Sequence, residues 1–147
     1  MSLSLTGCAK KARITRILSL NYSYTQGYAI NSRGELSVSE KDGAYELSVK
    51  LPNEPEESRV TAPLGAERVR EIEAAFEQYK VGKWNGFQKS NKMVLDGDSF
   101  SLSVTMEGEQ EICASGYMKW PVNYREVSAF LQALMKEFAG TDSVKEP

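Results

Sequence analysis

The stretch from Glu35 to Pro52, ELSVSEKDGAYELSVKLP, decides the fold. Leu36 and Val38 alternate with Ser37 and Ser39, and beyond Asp42-Gly43 the residues Tyr45, Leu47, Val49 and Leu51 alternate with Glu46, Ser48 and Lys50. A period of two puts one set of side chains on a buried face and the other on solvent. Asp-Gly supplies the positive φ angles that a tight hairpin turn demands. The segment therefore reads as an antiparallel hairpin with one apolar face, ended by Pro52. Downstream the pattern recurs. Phe100, Leu102, Val104 and Met106 alternate with Ser99, Ser101, Ser103 and Thr105. Gly108 turns the chain, and Ile112, Ala114 and Gly116 alternate with Glu111, Cys113 and Ser115. Upstream, Arg13 to Thr25 reads as a long strand with Ile14, Leu18, Leu20, Tyr22 and Tyr24 on one face. Tyr28-Ala29-Ile30 and Arg59-Val60-Thr61 suggest two short strands, and Trp84 to Gly97 a loop.

Two segments change period. Val69, Ile72, Phe76 and Tyr79 recur at helical spacing, with Pro63 suited to the first turn and Gly82 closing the segment. Val127, Phe130, Leu131, Leu134 and Phe138 form a second stripe, opened by Asn123 and Glu126 in a capping-box-like pair and ended by Gly140. Each half reads hairpin, proline, helix, and Leu36-Ser37-Val38 echoes Leu102-Ser103-Val104. The predicted fold is α+β: an antiparallel β-sheet with two helices packed on one face, built as a hairpin–helix pseudo-repeat. One domain is expected over 13–140, preceded by a tether at 1–12 and followed by a frayed tail at 141–147.

Composition narrows the chemistry. The 147 residues carry 18 basic and 20 acidic side chains, a net charge of −2 that gives no field favouring nucleic acid. No histidine is present, which removes the commonest neutral-pH base and metal ligand. Cys8 and Cys113 are the only cysteines, too few for a zinc site within one chain. No Ser-x-x-Lys pattern or Gly-rich phosphate loop occurs, and Gly97-Asp98-Ser99-Phe100-Ser101 lacks the second glycine of a nucleophile elbow. No catalytic residue, metal ligand or cofactor is therefore assigned. Asp96-Gly97-Asp98-Ser99 is read as a tight turn opening a strand, because its oxygen ligands are too few for Ca²⁺. The enzymatic alternative is a histidine-free hydrolase using the carboxylates of Asp96 and Asp98.

Leu5-Thr6-Gly7-Cys8 has the form of a bacterial lipobox, where a lipoprotein signal peptide is cut and the cysteine lipidated. A secretory signal needs a basic start and roughly 7–15 apolar residues before its cleavage site. Here only seven residues precede Cys8. The expectation is a truncated signal peptide with lipidation at Cys8, and Ala9-Lys10-Lys11-Ala12 as a polar tether. The other reading makes the match accidental and leaves Cys8–Cys113 as the one available intrachain bridge.

The stretch from Trp84 to about Phe138 resembles a domain of small uncharacterised bacterial lipoproteins. The residues that carry the likeness are Trp84-Asn85-Gly86-Phe87, Lys89-Ser90, Val94-Leu95-Asp96-Gly97 and Ser99-Phe100-Ser101-Leu102-Ser103. Ala114-Ser115-Gly116-Tyr117, Pro121-Val122-Asn123-Tyr124 and the final helix continue it. It covers somewhat over a third of the chain, and Cys113 departs from the serine that the pattern has there. The resemblance implies lipidation at Cys8 and a place outside the cytoplasm, anchored to the bacterial cell membrane. It implies no activity.

Two sets of residues are candidates for contact with a ligand or partner. Trp84 and Trp120 flank the helices, where aromatic side chains cap a core or stack on sugars. The hydroxyl parity is the less common feature. Ser99, Ser101, Ser103 and Thr105, with Ser19, Asn21, Ser23, Ser37, Ser39, Ser48 and Ser115, would face away from the helices, either merely solvated or holding an extended peptide or glycan. The functional expectation is a lipid-anchored domain that binds a protein or glycan partner without turnover, with Trp84, Asp96, Asp98, Trp120 and the hydroxyl rows as contacts.

Overall fold

Alternation at a period of two builds one seven-stranded sheet, in the order β4-β3-β2-β1-β6-β7-β5. The strands are β1 (Ile17–Thr25), β2 (Arg33–Lys41), β3 (Ala44–Lys50), β4 (Val60–Leu64), β5 (Gln88–Ser90), β6 (Ser99–Met106) and β7 (Gln110–Tyr117). The helices are α1 (Ala66–Gln78) and α2 (Tyr124–Val144). The computed structural model describes residues 11–27, 32–94 and 97–144, without side chains for 141–144. Cys8, Tyr28-Ala29-Ile30 and Asp96 lie outside the described residues.

Every strand pair is antiparallel except β5 with β7. Asp42 and Gly43 take φ of 56° and 84°, the left-handed pair that closes the β2–β3 hairpin. β1 is the axis of the sheet. Tyr22 faces Leu36 of β2 on one side and Leu102 of β6 on the other, and Leu20 faces Val38 and Val104. The Leu-Ser-Val echo thus occupies equivalent places on both flanks of β1. The repeat stops at the hairpins, since only the first half adds an edge strand, β4, before its helix.

Both helices cover one face. Leu20, Tyr22, Leu36, Val38, Leu47, Leu102, Val104 and Ile112 from the sheet share one core with Val69, Ile72, Phe76, Val127, Leu131 and Met135 from the helices. Helix α1 leaves the β4 edge and the chain reaches β5 at the opposite edge. Arg68 of α1 grips the Glu137 carboxylate of α2 through two hydrogen bonds of 2.8 and 2.9 Å.

Several local expectations are corrected. Ile17, not Leu18, is fully buried, because a β-bulge between Ile17 and Ser19 reverses the parity there. Pro63 belongs to β4, an edge strand where a missing N–H is tolerated, and Gly65 is the N-cap of α1. That helix is stopped by Lys80 in the left-handed conformation, while Gly82 lies in the following 3-10 turn, Val81–Trp84. Gly82 is required there by close approach, since a Cβ would meet the Ala12 carbonyl oxygen at 2.0 Å. Asn123 does not close a capping box; at φ 63° it donates its Nδ2 to the Tyr79 carbonyl at 2.9 Å and ties the end of α1 to the start of α2. Gly140 lies inside α2, which runs to Val144. The expected loop after Trp84 contains β5.

Candidate functional site

The face of the sheet away from the helices carries no covering element among the described residues. Cross-strand register arranges its side chains in rows, about 4.8 Å apart from strand to strand. One row runs Ser37, Asn21, Ser103, Cys113 across β2, β1, β6 and β7. A second runs Ser39, Ser19, Thr105, Glu111. A third runs Ser23, Ser101, Ser115, Gln88 and a fourth Arg33, Thr25, Ser99, Tyr117, Ser90. Ser101, Ser103 and Thr105 are exposed and Ser99 is half-buried, while Phe100, Leu102, Val104 and Met106 between them are buried. The four hydroxyl residues singled out in the sequence therefore lie in line on the open face.

The face is not uniform. Toward β3 and β4 it becomes ionic: the Arg59 guanidinium bonds Glu35 at 2.6 Å and pairs with Glu56, and it reaches the Ser48 hydroxyl at 3.4 Å. Ser48 is thereby removed from the free hydroxyl surface. Toward β5 the third and fourth rows form the floor of an open depression of about 640 Å³. Arg33 and Lys92 stand around it, Lys89 borders it from β5 with its ammonium 5.7 Å from the Phe87 ring, and no carboxylate lines it among the described residues. Arg33 leans inward and donates to the Ser23 hydroxyl at 2.9 Å. The Tyr117 ring forms one wall, fixed by its hydroxyl, which donates to the Val94 carbonyl at 2.8 Å and accepts from the Gly97 amide at 2.9 Å.

Of the remaining candidates, Trp84, Trp120 and Asp98 stand away from the hydroxyl rows, and Asp96 lies outside the described residues. Trp84 is 1% exposed and donates its indole N–H to the Val122 carbonyl at 2.9 Å, so it has no surface to offer a ligand. Trp120 is 40% exposed and stacks on Tyr124 at 4.8 Å between centroids, with Phe100 at 5.8 Å. Both tryptophans thus meet Phe100 and Tyr124, one inside the cluster and one as its lid. The Asp98 carboxylate accepts the Gly27 amide at 2.9 Å and ties the end of β1 to the start of β6. The sheet separates these groups from the hydroxyl rows, and they do not converge on a cleft with them.

Beside this cluster three phenols are packed together. The Tyr22 and Tyr124 hydroxyls share a hydrogen bond of 2.8 Å, and Tyr24 stacks on Tyr22 at 5.6 Å. Burial pushes all three phenols up, Tyr24 to about 12. They are core groups whose acidity is suppressed, not bases.

Sequence reading missed Arg33, Gln88, Ser90 and Lys92 around the depression. The parity of β2 extended back past Gly34 would have found Arg33. A strand of three residues is too short to show a period, so β5 left no such signal. Among the described residues no group of three or more His, Cys, Asp or Glu side chains is placed to hold a metal, and no helix is long and apolar enough to cross a membrane. Neither models of known protein families nor curated sequences give a match to this chain.

Proposed function

We propose that the protein is a lipid-anchored domain outside the cytoplasm, tethered through Cys8, that binds a partner on the open face of its sheet and performs no catalysis. The observation that carries the binding half of this reading is the face that no element covers among the described residues. Seven strands are backed by both helices on one side, and the other side presents ordered rows of serine, threonine and asparagine. Short neutral side chains leave that surface flat and offer donors and acceptors without the desolvation cost of charges. The likeness to small bacterial lipoproteins and the Leu5-Thr6-Gly7-Cys8 sequence support the anchor.

Two experiments test the halves separately. Metabolic labelling with a fatty-acid probe should mark the full-length protein, and label persisting in Cys8→Ala would refute the anchor. A photo-crosslinking amino acid placed at Ser103 in intact cells should capture a partner, while the same group at Lys136 on the exposed side of α2 should not. Equal capture from both positions would refute the open face as the contact surface.

A further inference from the structure

We infer that the depression between β1, β6, β7 and β5 is a subsite for an acidic saccharide, a sugar bearing a carboxylate, sulfate or phosphate. This rests on the proposal that the open sheet face is the binding surface, and it names the class of ligand. The first observation is the sign of the charge. Arg33 and Lys92 line the depression with no carboxylate among the described lining residues, in a chain whose net charge is −2. Glu35 is shared between two guanidiniums, its Oε1 2.6 Å from Arg59 and its Oε2 4.0 Å from the Arg33 Nε, so it offsets only part of the Arg33 charge. The Arg33 guanidinium donates one of its five N–H groups to Ser23.

The second observation is the floor. Ser23, Ser101 and Ser115 form one cross-strand row, and Thr25 and Ser99 belong to the next. A hydroxyl donates and accepts, so such rows match the hydroxyls of a sugar ring in either sense. An extended peptide is met by sheets mainly through an edge, where unpaired backbone groups continue the ladder. Here the floor lies on the face, over β1, β6 and β7, whose backbones are paired on both sides, and only β5 at the rim is an edge strand. The Tyr117 ring adds an apolar wall against which a sugar can pack. Because the depression is open to water, its cations act in a high dielectric, and the expected affinity is weak and salt-sensitive.

The test is an NMR titration of the ¹⁵N-labelled chain with three probes: a uronic-acid trisaccharide, a neutral trisaccharide and a hexaglutamate peptide. The uronic-acid trisaccharide should shift the amides of Ser23, Thr25, Ser99 and Ser101. The neutral sugar should bind about ten-fold more weakly, the scale of one charge-assisted hydrogen bond. Arg33→Ala and Lys92→Ala should each remove most of that preference; the spectrum of each variant reports its fold directly. Equal binding of both sugars, unchanged in the variants, would overturn the anionic subsite while leaving a saccharide-binding face. Shifts with hexaglutamate alone would overturn the saccharide. No shift with any probe would overturn the subsite, whereas the crosslinking at Ser103 judges the face independently.

Discussion

Trp84 and Trp120 look equivalent in the sequence and are opposites in the fold. Trp84 is buried and its indole N–H is satisfied by Val122, so Trp84→Ala should lose about 3–5 kcal/mol of stability. Trp120 keeps 40% of its surface in water, and Trp120→Ala should cost only about 0.5–1.5 kcal/mol, the worth of its aromatic stacking. Urea denaturation of the two variants checks the contrast, and equal losses would contradict it. The buried phenols give a pH test. Tyr24 is raised from 10.0 to about 12 by burial, and Tyr22 and Tyr124 are raised as well. The unfolded chain releases these protons first. The stabilisation is therefore complete below pH 10 and is lost as pH rises through about 12. Melting temperature followed from neutral to alkaline pH, with phenolate absorbance alongside, should show this late titration together with unfolding. Three phenols ionising near pH 10 with the fold intact would contradict the packing.

At the scale of elements, α1 is held by a few fully buried residues. Phe76 is 0% exposed, and Phe76→Ala should cost about 3–5 kcal/mol by chemical denaturation. A loss below about 1 kcal/mol would place that face of the helix in water. In β2, Gly34 lies opposite Tyr24, and a Cβ on Gly34 would sit 2.6 Å from the Tyr24 ring. Gly34→Ala should therefore destabilise by about 1–3 kcal/mol through overpacking. Long elements were legible because their period repeats: β2, β3, β6 and β7 show it across their lengths, as do the stripes of both helices. What sequence reading lost was set by tertiary contact. The bulge at Ile17–Ser19 exchanges Leu18 for Ile17 in the core. Pro63 is decided by whether β4 is an edge, which no local pattern records. Asn123 is drawn from capping its own helix to the Tyr79 carbonyl of the other. Of the site, the row from Ser99 to Thr105 was readable from parity. Its charged rim was not, because Arg33 and Lys92 come to border one depression only when β1, β6 and β7 pair between them.

On the scale of the whole molecule, the sheet divides the labour. One face, with both helices and the aromatic cluster of Trp84, Phe100, Tyr124 and Trp120, supplies the stability. The other carries serine, threonine and asparagine along β1 and β6, with Arg33 and Glu35 on β2 and Glu111 and Tyr117 on β7 beside them. Serine contributes little to a sheet's own stability, since strands favour β-branched and aromatic residues. Rows of it on a face that no described element covers are what the proposed contact surface rests on. The most direct measurement is recovery of cell components by the wild-type chain and by a Ser101→Lys, Ser103→Lys double variant, both shown to be folded. The substitutions place bulk and charge on the open face and leave Leu102 and the core untouched. Recovery of at least one component should fall sharply in the double variant. Equal recovery of every component by the two proteins would mean that the face is only solvated.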